Sequence, residues 1–259
     1  VSAWRERVEI AGGRAVLYLG DNREVWPALL ERPEIVVTSP PYNLREPGTG
    51  HLGHSTSLWR NAALANGYSS YADNLPLAEY EEWQKGLLRD WFAALPATGA
   101  IFYNHKPRPR EGEVWLPLSC NPGLPVRQVV IWDRGSGFNF SPSHFMPMHE
   151  WVVIFAKQEF RLKSRGVSGI GDVWRMPPRA DADHPAPFPV KLPSRIIEAT
   201  SADIYADPFM GSGTTGVACM RLGRRFVGIE IDEGYFRTAC RRIAEAARQP
   251  DLLIPETAA

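Results

Sequence analysis

The feature that most constrains the fold is a strand, a glycine-rich turn and a helix in direct succession over residues 204–222. Residues 204–206 form a short apolar run that ends at Asp207, and Gly211 and Gly213 precede an apolar helical segment that begins at Thr214. A strand that leads into a helix through such a turn is the repeating unit of a parallel sheet covered by helices. The chain is therefore predicted to be an α/β protein.

The rest of the chain repeats this alternation. Further strands are predicted at 14–21, 35–37, 100–103, 126–132, 151–155 and 226–229. Helices are predicted at 77–95, 191–200 and 235–246, with one or two helical turns at 25–30. Residues 44–74 lack periodicity and are predicted as a long loop, and residues 157–190 are predicted to be irregular. The alternation favours a mostly parallel sheet with helices on both faces.

Composition narrows the function classes. The 259 residues fit one large α/β domain or a domain with an embedded subdomain, and no apolar run approaches the roughly 20 residues that span a bilayer, so a cytoplasmic protein without a membrane partner is expected. Cys120, Cys219 and Cys240 are widely spaced, which argues against a disulfide framework and a structural metal. The net charge is zero, which is not the pattern of a protein held on DNA by charge alone.

The glycine-rich turn predicts a binding site for an adenosine-containing cofactor. Glycines at 211 and 213 would let the backbone approach a ligand closely, and no lysine follows them as a phosphate loop requires. Glu230 lies just past the next strand, where a carboxylate can bind both hydroxyls of a ribose. A phosphate loop and a plain tight turn are the alternatives.

A second segment, Ser39, Pro40, Pro41 and Tyr42, directly follows the predicted strand at 35–37. Two consecutive prolines remove two N–H donors and present carbonyl acceptors in a rigid turn. The exocyclic amino group of a base is a poor nucleophile, and the Ser39 side chain and the Pro40 carbonyl can hold its two hydrogens. Tyr42 can stack on the base, which must be flipped out of the duplex to reach such a pocket. A purely structural proline turn is the alternative.

Together these segments resemble the amino-methylating DNA methyltransferases of the β arrangement, in which the catalytic motif precedes the cofactor motif. Residues 38–43 match the catalytic motif, residues 207–215 the cofactor motif and residues 228–232 the ribose-binding strand end. The resemblance covers most of the chain. It implies a seven-stranded, Rossmann-like methyltransferase sheet with an inserted target-recognition region, S-adenosyl-L-methionine as cofactor and double-stranded DNA as substrate.

The resemblance also extends the set of cofactor residues. It places residues 184–189 around the methionine part of the cofactor and the turn at residues 20–22 near its adenine. The candidate cofactor residues are then Asp21, Asn22, His184, Pro185, Ala186, Phe188, Asp207, Phe209, Gly211, Ser212, Gly213, Thr214, Thr215, Glu230, Ile231 and Asp232.

Between a catalytic half at 1–105 and a cofactor half at 181–259, the resemblance places a target-recognition region at about 106–180. The candidate DNA-binding residues are Asn43, Arg134, Phe138, Asn139 and His144. His149 fits either DNA contact or the start of a core strand. A cognate restriction endonuclease and a homodimer are further partners that the resemblance allows.

The target base is left with two alternatives. Ser39 favours N4 of cytosine in this family, whereas Asn43 after the tyrosine is common among enzymes acting on N6 of adenine. Methylation at carbon 5 of cytosine needs an activated thiolate, and no cysteine here sits beside a proline in a catalytic turn. Two other classes remain: an enzyme that methylates protein or RNA, and a non-catalytic DNA-binding protein that retains a relic cofactor site.

Overall fold

The computed structural model describes residues 2–43, 74–110, 112–137, 141–177 and 188–248. Its strands are β1 (Glu6–Ile10), β2 (Ala15–Leu19), β3 (Ile35–Thr38), β4 (Ala100–His105), β5 (Arg108–Arg110), β6 (Glu113–Trp115), β7 (Val126–Asp133), β8 (His149–Ala156), β9 (Val173–Arg175), β10 (Ile204–Asp207) and β11 (Arg225–Glu230). Its helices are α1 (Asn22–Val25), α2 (Leu77–Ala94), α3 (Arg165–Ser168), α4 (Lys191–Ala199), α5 (Thr214–Arg221) and α6 (Glu233–Arg248), with 3₁₀ turns at Trp26–Ala28 and Pro117–Cys120.

One sheet organises the described part of the chain. Its nine strands follow the order β1-β2-β11-β10-β3-β4-β8-β7-β9, and β5 pairs with β6 in a separate hairpin. The five strands from β2 to β4 in that order are parallel to their neighbours. β8 is antiparallel to both β4 and β7, and β1 is antiparallel to β2. The five parallel strands therefore end at one common edge.

Side chains that alternate along the strands bury both faces of the sheet. On one face, Leu17 of β2 and Val37 of β3 pack in a cluster with α4, α5 and α6. On the other face, Tyr18 and Val36, their immediate neighbours, pack in a cluster with α1 and α2. Because successive strand residues point to opposite faces, this alternation places helices on both sides of the sheet.

Helix α2 shows how the sequence determines an element. Tyr80, Leu87, Leu88 and Trp91 recur at helical spacing and are all buried against the sheet. The helix stops at Ala94, and a proline at position 96 prevents its continuation. The helix therefore packs on the same face of the sheet as α1, with its apolar side inward as the spacing predicts.

The predicted fold class is confirmed, and two details of the prediction were wrong. The sheet has nine strands instead of seven, because β1 and β9 extend the two edges of a seven-stranded core. Residues 157–190 are not wholly irregular, since they contain α3 and β9. β9 consists of three residues, two of them exposed at a sheet edge, so it carries no apolar pattern that a sequence reading can detect.

Two helical glycines provide a matched test of this packing. A Cβ on Gly216 in α5 would lie 2.7 Å from the Phe226 ring and would also clash with Ile243, whereas a Cβ on Gly86 in α2 meets nothing within 4 Å. We expect Gly216→Ala to lower the free energy of unfolding by about 1–3 kcal/mol and Gly86→Ala to raise it by about 0.5–1 kcal/mol. Urea unfolding of both variants measures this, and equal effects would contradict the packing.

Within the described ranges, no helix is both long and apolar enough to cross a bilayer. Cys120 and Cys219 are buried and carry free thiols, and Cys240 is a partly buried free thiol. Buried free cysteines of this kind pack as small hydrophobic side chains.

Candidate active site

The two motifs that the sequence singles out meet at the carboxyl edge of the parallel strands. Asp21 follows β2, Glu230 ends β11, Asp207 ends β10 and Ser39 follows β3, and these four strands are neighbours in that order. Ligands of open α/β sheets bind at this edge. The edge is therefore the candidate active site.

Hydrogen bonds join the catalytic and cofactor segments directly. The Thr38 hydroxyl donates to Asp207 Oδ1 over 2.8 Å, and the Thr215 hydroxyl donates to Asp207 Oδ2 over 2.9 Å. The Phe209 amide also donates to Asp207 Oδ1 over 3.1 Å. Thr38 and Asp207 are 169 residues apart in sequence. The two segments therefore share one buried carboxylate.

Asp207 is a buried carboxylate held by hydrogen bonds from the protein itself. Its side chain is 2% exposed, and both oxygens accept hydrogen bonds from the protein itself. Burial raises the pKa of Asp207 to about 6, although the three hydrogen bonds oppose that shift. The geometry makes Asp207 a link between the two segments, and its predicted contact with a cofactor stays a prediction.

Glu230 is a buried carboxylate whose orientation is fixed by the backbone. The Gly211 amide donates to Oε2 over 2.8 Å, and the Asp232 amide donates to Oε1 over 2.9 Å. Burial raises the pKa of Glu230 to about 7, against the opposing effect of these two hydrogen bonds. Each oxygen keeps further lone pairs that can accept from a pair of hydroxyl groups.

The glycine loop contacts both Glu230 and helix α6. Gly211 has a positive φ of 51° and turns its amide toward Glu230. Gly213 has a φ of 81°, and a Cβ there would lie 2.9 Å from Ala239 of α6. Ser212 is held by Arg242, which donates to its carbonyl over 2.8 Å. The absence of a side chain at Gly213 thus permits helix packing, where the sequence suggested close approach of a ligand.

The structure describes all but three of the remaining predicted cofactor residues. Asp21 caps α1 and Asp232 caps α6, each accepting from a backbone amide of its helix. Ile231 is 38% exposed beside them. Asn22, Ser212, Thr214 and Thr215 are buried, whereas Phe188 and Phe209 are partly buried. His184, Pro185 and Ala186 lie outside the described residues.

The proline turn is anchored from below by two aromatic side chains. The Tyr80 hydroxyl donates to the Pro41 carbonyl over 2.8 Å, and it also lies 2.6 Å from His105 Nε2. A carbonyl can only accept, so Tyr80 uses its hydrogen there and His105 Nε2 must be the donor in the second contact. The Lys106 amide donates to His105 Nδ1 over 2.7 Å. His105 is therefore neutral.

The electrostatics of His105 agree with that assignment. Burial, and then the nearby Arg108, hold the pKa of His105 well below its usual value. Its ring stacks on Tyr42 at 4.5 Å between ring centroids and 28° between planes. The stack fixes the plane of the Tyr42 ring at the end of β3.

A compact polar network surrounds the Tyr42 hydroxyl. It lies 2.7 Å from Ser39 Oγ, and it donates to Glu150 Oε2 over 3.0 Å. The Asn104 amide nitrogen donates to the Tyr42 hydroxyl over 2.8 Å and to Glu150 Oε2 over 2.9 Å. Arg134 forms an ion pair with Glu150 at 3.3 Å. Every member comes from a strand end or strand start at the same sheet edge.

The predicted DNA-binding residues fall into three groups. Arg134 forms an ion pair with Glu150 and donates a hydrogen bond to the Pro147 carbonyl over 3.1 Å. Asn43 is buried with a φ of 53° and donates to the Leu75 carbonyl over 2.8 Å. His144 lies in the β7–β8 loop near the Ser143 hydroxyl, and His149 is exposed at the start of β8. Phe138 and Asn139 lie outside the described residues.

Sequence reasoning missed four residues of this site: Tyr80, Asn104, His105 and Glu150. Asn104 and His105 were detectable in principle, since they directly follow the apolar run of β4, the neighbour of β3. Glu150 enters the site only because β8 is antiparallel to β4, which brings the start of β8 to the carboxyl edge. No local pattern in the sequence carries that information.

Comparisons with known proteins agree with this geometry. The sequence model of the family described as DNA methylase, named for N6 and N4 methyltransferases, matches residues 34–241. Among curated proteins, the chain is similar to the type II methyltransferase M.BglII of Bacillus subtilis, with 26% identity over 85% of this chain and 66% of that protein's length. It is also similar to the type II methyltransferase M.ScaI of Streptomyces caespitosus, with 27% identity over 90% of this chain and 82% of that protein.

Solved structures share the fold. The PvuII DNA methyltransferase, described as cytosine-N4-specific, superposes with a TM-score of 0.69 at 18% identity and covers 95% of each chain. A DNA modification methylase from Thermus thermophilus, solved in complex with S-adenosyl-L-methionine, superposes with a TM-score of 0.61 at 22% identity, over 93% of this chain and 95% of that one. At these identities the likeness concerns the fold.

Proposed function

The chain belongs to the DNA methylase family, and from that premise we propose that it transfers a methyl group from S-adenosyl-L-methionine to the exocyclic amino group of a base flipped out of double-stranded DNA. The observation that carries the proposal is the contact between Thr38, Asp207 and Thr215, which joins the proline turn to the glycine loop. An amino-group acceptor site and an adenosine site thus open on one edge of the sheet.

The residues at this edge fit the proposed cofactor. Asp21, Asp207, Glu230 and Asp232 follow adjacent strands and would repel the phosphates of a nucleotide. Glu230 is oriented by two backbone amides to receive the ribose hydroxyls. Ile231 offers an exposed apolar side chain beside Glu230 for the adenine. The other residues proposed to bind the cofactor are those predicted from the sequence.

In the proposed mechanism, the protein acts mainly by positioning the target amino group. S-adenosyl-L-methionine, when bound, supplies a methyl group on a cationic sulfur. Ser39 Oγ and the Pro40 carbonyl accept the two hydrogens of the amino group, which turns its lone pair out of the ring. Among the described residues, no donor reaches the Pro40 carbonyl. Tyr42, fixed by its stack on His105, supports the base.

For the target base we propose N4 of cytosine, with N6 of adenine as the alternative. Ser39 supports the first, and so does the cytosine-N4 specificity of the structurally similar PvuII methyltransferase. Asn43 supports the second. A protein or RNA methyltransferase is less favoured because the matching family is described as DNA methylase. A DNA-binding relic is less favoured because Ser39 and Tyr42 share one connected hydrogen-bond network.

Three further proposals concern partners and organisation. We propose target recognition within 106–180; the described parts of that range outside the main sheet include the β5–β6 hairpin, the β7–β8 loop and the segment between β8 and β9 that contains α3. The type II names of the relatives support a cognate restriction endonuclease. A homodimer, a cytoplasmic location and the β arrangement of motifs stay predictions.

Modified-base sequencing tests the proposed function. The chain is expressed in a methylation-free host, and the plasmid is sequenced for N4-methylcytosine and N6-methyladenine. We expect N4-methylcytosine within one short recurring sequence. N6-methyladenine instead would contradict only the base, and an unmodified plasmid together with labelled protein or RNA would contradict DNA as the substrate. A Ser39→Ala variant is the control. Its activation free energy for methyl transfer should be higher by about 1–3 kcal/mol.

A further inference from the structure

Glu150 is a buried acidic residue beside the proline turn, and it belongs to neither sequence motif. Its side chain is 8% exposed, and Arg134 pairs with its Oε1. Its Oε2 accepts from the Tyr42 hydroxyl and from the Asn104 amide nitrogen. A carboxylate paired with a guanidinium has no hydrogen of its own to donate, so both contacts fix the direction of their hydrogens.

That direction passes from Glu150 through Tyr42 to Ser39. The Tyr42 hydroxyl carries one hydrogen and uses it toward Glu150. Its oxygen can then only accept, from the Asn104 amide and from Ser39. The single hydrogen of the Ser39 hydroxyl is thus directed at Tyr42. The Asn104 amide nitrogen also lies 3.4 Å from Ser39 Oγ, a long contact that leaves Ser39 Oγ a lone pair for another donor.

We propose that Glu150 is a positioning residue that, through Tyr42, makes Ser39 an obligatory hydrogen-bond acceptor for the target amino group. The inference rests on the proposed function and adds to it the reason that a hydroxyl, which can donate or accept, serves in this position. A hydroxyl free to rotate would present its hydrogen to the amino nitrogen part of the time. That arrangement engages the lone pair that has to attack the methyl group.

The amide of Asn104 supports a role beyond structure. Its side chain is 3% exposed, and its carbonyl oxygen has no hydrogen-bond donor among the described residues. A buried acceptor without a donor costs free energy, which a purely structural amide would avoid. The other amide orientation would place that oxygen against Glu150 Oε2, so the negative charge of Glu150 keeps the nitrogen facing Tyr42.

We call the hydrogen bonds that link Glu150 through Tyr42 to Ser39 the relay. Glu150→Gln tests the relay with little change in side-chain volume. Arg134 holds the amide oxygen, so the amide nitrogen faces Tyr42 and the Asn104 amide nitrogen and can accept from neither. Tyr42 thus loses the acceptor that fixed its hydrogen, which is free to turn toward Ser39, and Ser39 can then turn its own hydrogen toward the base. We expect kcat to fall about 100-fold, with KM for DNA and Kd for S-adenosyl-L-methionine changed less than about 3-fold.

Restoring an acceptor should restore the rate. Ser39→Asp introduces a carboxylate that accepts regardless of the relay, so the Ser39→Asp, Glu150→Gln double variant should recover at least about 10-fold of the lost kcat. A matched control is Glu31→Gln. Glu31 also pairs with an arginine, accepts from a tyrosine hydroxyl and is 8% exposed, but it lies beside Tyr18 in β2. It should leave kcat within about 3-fold while costing similar stability.

The outcomes separate the two proposals. If wild-type protein methylates DNA and Glu150→Gln keeps its kcat, or if Ser39→Asp recovers nothing, the relay is overturned and the proposed function stands. Wild-type protein that modifies no DNA overturns both. If urea unfolding shows that Glu150→Gln does not fold, Tyr42→Phe interrupts the same relay without changing charge. Ser39→Asp must then recover kcat in the Tyr42→Phe background.

Discussion

Replacing Tyr42 with alanine is expected to reduce kcat roughly 1,000-fold while leaving cofactor affinity nearly intact. The variant removes the ring that stacks on His105 and the hydroxyl at the centre of the Ser39, Asn104 and Glu150 network. Loss of a base-stacking ring costs about 1–3 kcal/mol and loss of a hydrogen bond to a charged group about 1.5–3 kcal/mol, and a total near 4 kcal/mol corresponds to that factor. Labelled methyl transfer to plasmid DNA measures kcat.

Cofactor binding is the internal control for this variant. The described contacts of the Tyr42 side chain run to Ser39, Asn104, His105 and Glu150, none of which belongs to the glycine loop. Titration with S-adenosyl-L-methionine should therefore give a Kd within about 3-fold of wild type. Tyr42→Phe keeps the stack and should lose less activity than Tyr42→Ala. A Tyr42→Ala protein that turns over normally, or that no longer binds the cofactor, would show that Tyr42 has been misplaced.

Local motifs predicted the parts of the site that depend on consecutive residues. The apolar run before Pro40 and the acidic residues after two other strands were sufficient to place Ser39, Asp207 and Glu230 at strand ends. Parallel pairing of β3 with β10 and of β10 with β11 then brings those ends together. That convergence is a property of any parallel sheet in which these strands are neighbours.

What the sequence could not supply depends on strand direction and on competition for hydrogen bonds. Glu150 lies near Asn104 because Asn104 is paired with Val152 in an antiparallel register, which no local pattern reveals. The sequence places Asp207 at a strand end, but it does not show that two threonine hydroxyls from different segments donate to its oxygens. Gly213 belongs to the same motif, and the contact that excludes a side chain there comes from Ala239, 26 residues later.

Replacing Glu230 with glutamine is expected to weaken S-adenosyl-L-methionine binding roughly 100-fold or more. Two hydroxyl groups donating to one carboxylate contribute about 1.5–3 kcal/mol each, because hydrogen bonds to charged groups are the stronger kind. Glutamine offers one acceptor oxygen to the two backbone amides of Gly211 and Asp232, so it also loosens the loop. Calorimetric titration measures Kd.

A matched variant separates binding from structural cost. Glu34 also accepts two backbone amides, those of Asp203 and Ile204, at the opposite end of β10. Both amides donate to Glu34 Oε1, so Glu34→Gln keeps the acceptor atom but removes its charge. It should cost stability by weakening these charge-assisted hydrogen bonds and leave the cofactor Kd within about 3-fold of wild type. Equal weakening of the cofactor by both variants would show that the loss at Glu230 is a general effect of destabilisation.

The pH dependence of binding provides the sharpest test of Glu230. Burial raises the pKa of Glu230 from 4.5 to about 7, so in the cofactor-free protein this carboxyl is mostly protonated below about pH 7 and mostly ionised above it. The stability contributed by that raised pKa is fully present below about 4.5 and is lost as the pH rises through about 7. Cofactor binding should follow the opposite course, because the ribose hydroxyls are held most strongly by the ionised carboxylate.

We therefore expect Kd for S-adenosyl-L-methionine to fall about 10-fold between pH 6 and pH 8, since a group with a pKa of about 7 goes from mostly protonated to mostly ionised over that interval. Over the same interval, the contribution of Glu230 to the unfolding free energy of the cofactor-free protein should decrease. Glu230→Gln should flatten the binding profile, with Glu34→Gln as the comparison. A wild-type Kd that stays constant from pH 6 to pH 8 would show that Glu230 does not bind the ribose. A carboxylate that binds the cofactor and has this pKa must change the Kd as it ionises.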